Sequence, residues 1–136
     1  MAKKQYNPYA PRQTSKYKAQ KAEMDGIVFD SKKERDRYAE LKILEKKGEI
    51  SALVLQPSFV LIPTQYEFFE RYGKNGARLK DGRKRIEKQC VYRADFAYLD
   101  RNGQKVVEDV KGVKTEVYKI KKKLMLFNFG IKIKEV

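Results

Sequence analysis

The stretch Val106-Val107-Glu108-Asp109-Val110-Lys111-Gly112 decides how the rest of the chain is read. Its valines mark a strand, and strand alternation sets Asp109 and Lys111 on one face and Glu108 on the other. Upstream, Arg93-Ala94-Asp95-Phe96-Ala97-Tyr98 is a second strand-like run, and Asp100-Arg101-Asn102-Gly103-Gln104 between the two holds the Asn-Gly pair that favours a tight hairpin turn. Folding that hairpin brings Asp95 beside Asp109, with Lys111 next to both. Two carboxylates to hold a hard cation and a lysine to act on water or phosphate are what a metal-dependent phosphodiesterase needs.

Composition narrows the chemistry. At 136 residues the chain has the length of one domain. Lys and Arg number 32 against 18 Asp and Glu, a net charge of +14, which predicts a polyanionic partner and nucleic acid first. No apolar run approaches the ~18 residues that span a bilayer, and Met1-Ala2-Lys3-Lys4-Gln5 lacks the apolar segment of a signal peptide. A cytoplasmic protein without a membrane partner is therefore expected. The single cysteine, Cys90, has no internal disulfide partner and reads as a strand thiol. Histidine is absent. That removes Ser-His-Asp and Cys-His mechanisms, histidine-base nucleases and imidazole-dependent zinc sites. Hydrolysis by this chain falls to carboxylates, lysine and a metal.

Residues 1–22, basic and interrupted by Tyr6, Pro8, Tyr9, Pro11 and Tyr17, read as a flexible arm, and 23–136 as the domain. Ser31-Lys32-Lys33-Glu34 fits a capping box, opening a helix that should run to Lys47 with Tyr38, Leu41, Ile43 and Leu44 inward. Glu34 heads that stripe, as a cap, a ligand or both. Strand-like runs follow at 50–55, 59–62 and 65–72, with Gln56 expected as a satisfied buried amide. Residues 73–85, dense in glycine and charge, read as a mobile loop. Residues 86–98 read as one long strand with Tyr92, Ala94, Phe96 and Tyr98 toward the core and Asp95 on the opposite face. A helix over 115–127 should bury Val117, Ile120, Leu124 and Phe127, and 131–136 should form a last strand. Arg83, Lys84 and Arg85 of the loop, Arg93 of the long strand, and Lys114, Lys119 and Lys122 near the last helix are the residues expected to contact nucleic acid.

If Glu34, Asp95 and Asp109 converge, like charges ~4 Å apart repel by roughly 4 kcal/mol at an effective dielectric of 20. Lys111 offsets part of that. A divalent cation would offset the rest: Mg²⁺, with Mn²⁺ as an admissible substitute, held by one or two carboxylates, waters and phosphate oxygens. Against this stands the plainer account of an exposed Asp109–Lys111 pair on an edge strand, worth ~0–1 kcal/mol.

The residues Glu34, Asp95 and Asp109-Val110-Lys111, in their order along the chain, resemble the PD-(D/E)XK nuclease superfamily, which includes restriction endonucleases and phage or archaeal Holliday-junction resolvases. Phe29-Asp30-Ser31-Lys32-Lys33-Glu34, Leu55-Gln56-Pro57, Ala94-Asp95-Phe96 and Glu108-Asp109-Val110-Lys111-Gly112 resemble a small phage-associated family within it. Ala94 stands where the superfamily's name expects proline. The resemblance covers about Gly26 to Val136. It implies an α/β fold with a restriction-endonuclease-like core, a mixed β-sheet flanked by helices in the order αβββαβ. It also implies Glu34, Asp95 and Asp109 as metal ligands and Lys111 as the catalytic lysine, with Glu108 kept as an alternative to Asp109. The expected activity is Mg²⁺-dependent DNA endonuclease action, on branched or recombination intermediates in a phage setting, in the host cytosol. A homodimer is compatible with it, and no small-molecule cofactor is expected. The rival expectation is a non-catalytic, basic DNA-binding accessory protein with a degenerate site. An RNA-binding module ranks below both, since the aromatics fall mostly at core spacing.

Overall fold

The computed structural model describes residues 20–136. The arm expected over residues 1–22 lies outside these apart from its last three positions, the last of which opens the first strand. That strand, β1 (Ala22–Met24), pairs antiparallel with β2 (Ile27–Phe29) across Asp25 and Gly26, whose φ angles of 53° and 74° make the two-residue loop that suits a twisted hairpin. Helix α1 (Lys32–Lys46) follows. Ser31 caps it, its Oγ accepting from the Glu34 amide at 3.1 Å. Tyr38 and Leu41 are buried along its inner face, whereas Ile43, expected there, is 55% exposed.

The central sheet has four strands in the order β10-β9-β8-β3. β3 (Ser51–Leu55) and β9 (Lys105–Asp109) each run antiparallel to β8 (Phe96–Leu99). β10 (Lys134–Glu135) lies parallel to β9. A parallel neighbour needs a crossover, and α2 (Glu116–Phe129) supplies it between β9 and β10. Read along the chain, the sheet and its helices run α1-β3-β8-β9-α2-β10, a mixed α/β arrangement. Expected residues 131–136 contribute only the two residues of β10.

Both faces of the sheet are covered. On one, Phe96 and Tyr98 pack with Phe29, Tyr38, Leu41 and Ile50 beneath α1. On the other, Ala97 and Val107 pack with Tyr118, Met125 and Ile133 beneath α2. The inward stripe of α2 is thus Tyr118 and Met125, and the expected Val117, Ile120 and Phe127 are 62%, 58% and 87% exposed. Lysines explain the rotation. Lys121 reaches the Val91 carbonyl at 2.8 Å and Lys122 reaches Glu135, so both lay their stems on the buried side and carry the charge to a partner.

The run expected as one strand over 86–98 is broken. Arg78–Glu87 form β6, Cys90–Arg93 form β7, and β8 begins at Phe96. β4 (Ser58–Ile62) pairs antiparallel with β7. The β3-to-β4 and β7-to-β8 junctions face each other and bend together: the Gln56 amide donates to the Asp95 carbonyl at 2.8 Å and the Ala94 amide to the Pro57 carbonyl at 3.1 Å. Gln56 makes the bend at φ 49°. Its side chain is exposed, not the buried amide expected. The bend also shifts the alternation, so that Tyr92, Ala94 and Ala97 share one core cluster while Phe96 and Tyr98 belong to the other.

Residues 73–85, expected as a mobile loop, are instead the turn and second arm of a long hairpin. β5 (Gln65–Tyr72) pairs antiparallel with β6 from Gln65↔Glu87 to Tyr72↔Arg78. Cross-strand bonds, not an apolar face, hold this ribbon together.

Candidate functional site

The β8–β9 hairpin closes as the sequence predicts. Its loop is fastened by Asp100, whose Oδ1 accepts from the amides of Asn102 at 2.8 Å and Gln104 at 2.9 Å. The register Phe96↔Glu108 sets Asp95 next to Asp109, and the Asp95 amide donates to the Glu108 carbonyl at 3.1 Å. Asp95 therefore sits where the bent strand pair meets the end of β9. Its Oδ2 accepts from the Val110 amide at 2.6 Å.

Asp109 is buried, 3% exposed, on the α2 side. Its Oδ2 accepts from the Tyr92 hydroxyl and stands 2.9 Å from the Lys111 Nζ. Lys111 in turn lies over the Tyr118 ring, 4.0 Å from its centre, a contact that holds the ammonium at the mouth of the cluster. Burial and the adjacent Asp109 carboxyl push Asp95 up to about 7. The two carboxyls are close enough for one to hydrogen-bond the other when a proton is shared.

Glu34 reaches the same region from α1 at 5% exposure. Burial raises its pKa, as do the charges of Asp30 and Asp109, while the Asp30 amide works the other way. Glu34, Asp95 and Asp109 therefore feel one another's charge. They do not close into a three-ligand set: among the described residues no three His, Cys, Asp or Glu side chains stand close enough to hold one metal ion. The cause is local, since Asp109 Oδ2 is shared by Tyr92 and Lys111, and Asp95 Oδ2 is held by a backbone amide. The remaining pair, Asp95 and Asp109, is a donor set that fits a hard cation completing its shell with water and phosphate oxygens.

Glu108 is fully buried and belongs to the other face. Arg37 of α1 grips it with Nε at 2.9 Å and Nη2 at 2.7 Å, and the Tyr98 hydroxyl donates to Oε1 at 2.5 Å. Burial alone would raise the Glu108 carboxyl, but the bonds from Arg37 and Tyr98 outweigh it and hold the pKa below the usual range. A carboxylate so enclosed is structural. The alternation that separated Glu108 from Lys111 in the sequence places it as found.

Reasoning from sequence missed Arg37, Tyr92 and Tyr118. Arg37 carried a signal, since it follows Glu34 by three positions and so shares its helix face. Tyr92 read only as a core aromatic, and Tyr118 was not among the residues expected on the inward stripe of its helix. Of the basic residues expected at nucleic acid, Lys114 pairs with Glu135 at 2.5 Å, Lys122 with the same carboxylate, and Lys119 with Glu116 at 2.9 Å. Lys114 and Lys122 together hold Glu135 down to about 2. Arg83, Lys84 and Arg85 lie on β6, and Arg93 on β7; all four are exposed.

A family model described as "Protein of unknown function (DUF1064)" matches residues 14–135. The chain belongs to the DUF1064 family. The match takes in α1, the bent strand pair, the β5–β6 hairpin, the Asp95–Asp109–Lys111 cluster and α2, so the site just described lies wholly within the DUF1064 region. No curated protein and no solved structure matches this DUF1064 chain. Among its described residues no helix is long and apolar enough to cross a membrane.

Proposed function

We propose that this DUF1064 protein is a metal-dependent endonuclease of restriction-endonuclease-like architecture, hydrolysing phosphodiester bonds in DNA, including branched recombination intermediates of a phage. The observation that carries the reading is the meeting of Asp95, Asp109 and Lys111 at one end of the sheet, with Glu34 arriving from α1. The order α1-β3-β8-β9-α2-β10 agrees with the αβββαβ order of that architecture. A net charge of +14 supplies the attraction for a polyanion.

Asp95 and Asp109 would hold Mg²⁺, or Mn²⁺ in its place, with Glu34 adding its charge to the site from α1. The metal would supply charge to balance the phosphate and to make water more acidic. The protein's own groups do the rest. Asp95, pushed up to about 7 by burial and the Asp109 carboxyl, would be shifted toward its charged form by a cation held there. Lys111, steadied by Asp109 and the Tyr118 ring, presents an ammonium that orients the attacking water or neutralises the scissile phosphate. Tyr92 fixes the Asp109 carboxyl from behind.

One observation favours the second reading, a non-catalytic basic DNA-binding protein: Asp109 is already satisfied by Tyr92 and Lys111. Cleavage decides between the two. Purified protein with Mg²⁺ is expected to nick or cut duplex, single-stranded or four-way-junction DNA, and Asp109→Asn and Lys111→Ala are expected to lower cutting at least about 100-fold while DNA is still bound. Salt-dependent binding with no cleavage of DNA or RNA, and no response to either substitution, would leave only the accessory protein.

A further inference from the structure

The β5–β6 ribbon is the part of the molecule that the cluster does not use. Its residues belong to neither hydrophobic core, and among the described residues no other helix or strand packs broadly on it. Cross-strand register divides its side chains. Tyr66↔Arg85, Phe68↔Arg83 and Tyr72↔Arg78 are opposite pairs, so three aromatics and three arginines share one face. On the other face the Phe69 ring, 51% exposed, lies across Gly82, where any side chain would collide with it.

On the aromatic face the Tyr66 ring is half-buried and the Phe68 and Tyr72 rings are open. Phe68 is 65% and Tyr72 58% exposed. Arg83 lies 4.4 Å from the centre of the Tyr66 ring, and the Tyr66 and Phe68 rings are 6.5 Å apart. Arg78 is tied to Asp81 at 3.1 Å and to Glu70 at 3.8 Å, and the Tyr72 hydroxyl donates to Glu70 at 2.7 Å, whereas Arg83 and Arg85, toward the Tyr66 end, have no acidic partner among the described residues. From Tyr66 to Tyr72 the ribbon spans about 20 Å, room for several nucleotides.

We propose that this face is a binding arm for unpaired nucleotides of single-stranded DNA, with Tyr66, Phe68 and Tyr72 as the stacking surface and Arg83 and Arg85 on the phosphates. Rings lying open beside unpaired arginines are the pairing that single strands use, since every base has a π-face and each phosphate a charge. A duplex covers its base faces and would leave the rings idle in a groove. The inference rests on the reading that DNA is the partner, though not on cleavage, and gives that reading a substrate with an unpaired stretch.

The full chain is titrated, without divalent metal, against a labelled 20-mer of thymidine and against a blunt 20-base-pair duplex. A Phe68→Ala/Tyr72→Ala variant is expected to bind the single strand at least about tenfold more weakly and the duplex within about twofold of the parent. Because the chain contains no tryptophan, Phe68→Trp places one reporter on the face, and its fluorescence is expected to be quenched by the single strand and not by the duplex. Equal weakening on both probes, unchanged binding to the single strand, or an unquenched reporter overturns the arm. Protein that binds the single strand through these rings but cuts nothing removes the nuclease reading and keeps this one. Protein that cuts, while Phe68→Ala/Tyr72→Ala binds the single strand unchanged, does the reverse.

Discussion

Arg37 on the first long helix holds Glu108 on a central strand through two nitrogens, at 2.9 and 2.7 Å, across 71 residues of chain. The Glu108 side chain is fully buried and that of Arg37 is 20% exposed. Removing one partner of such a pair leaves the other charged and without its match, at a cost of about 3–5 kcal/mol, and the partial exposure of Arg37 places the loss near the lower end. Glu108→Ala is thus expected to lower unfolding free energy by about 3 kcal/mol in urea titrations. A change under about 1 kcal/mol would mean that the pair behaves as a surface one.

Tyr92 presses on the candidate cluster from within the core, and its hydroxyl is bonded to Asp109. Tyr92→Phe keeps the ring and leaves a buried carboxylate oxygen one donor short, costing about 1–3 kcal/mol of stability. Cleavage, measured on the best DNA substrate, is expected to fall less than about tenfold, well short of the Asp109→Asn loss. A Tyr92→Phe effect as large as that of Asp109→Asn would make the hydroxyl part of the chemistry.

Asp95 sets a pH dependence. Its folded-state value of about 7 lies above the ordinary 3.8. Below the ordinary value both folded and unfolded chains hold the proton. Between the two values only the folded chain does, so this group's contribution to stability falls as pH rises from about 4 to about 7 and then levels. Asp95→Asn removes that slope, and its urea midpoint is expected to gain on the parent's between pH 5 and pH 8. At pH 8, Mg²⁺ should raise the melting temperature of the parent and not of the variant, because the parent alone has the extra charge to neutralise. Parallel pH curves would remove the buried-acid account of Asp95.

The left-handed backbone at Gln56 bends the strand pair that presents Asp95. A β-branched residue resists that conformation, so Gln56→Val is expected to cost about 1–3 kcal/mol and Gln56→Gly to stay within about 1 kcal/mol of the parent. Thermal melts of the two variants check it. Equal stability of the valine variant would show the bend to be held by tertiary contacts that absorb the strain.

What the sequence made legible was local. Ser31 as a cap, the Asp100 to Gln104 loop and the Asp95/Asp109 register each rest on a few neighbouring residues, and each is found in the structure. What it hid was paired at a distance. Residues 78–85 carry glycine and charge and look like a loop, yet they belong to strand β6 because β5 lies opposite them. On α2 two apolar stripes compete, Val117-Ile120-Phe127 and Tyr118-Met125, and the lysines between the second pair disguised the one that is buried. Gln56 gave no sign of positive φ, which glycine or asparagine would have advertised.

The main-chain bond from the Gln56 amide to the Asp95 carbonyl has an evolutionary corollary. Relatives that retain the aspartate should retain, at the position of Gln56, a residue at ease with left-handed backbone, and lineages in which the acid has been discarded should drift there toward valine or isoleucine. Covariation between these two columns would then mark which branches keep the bend together with its acid.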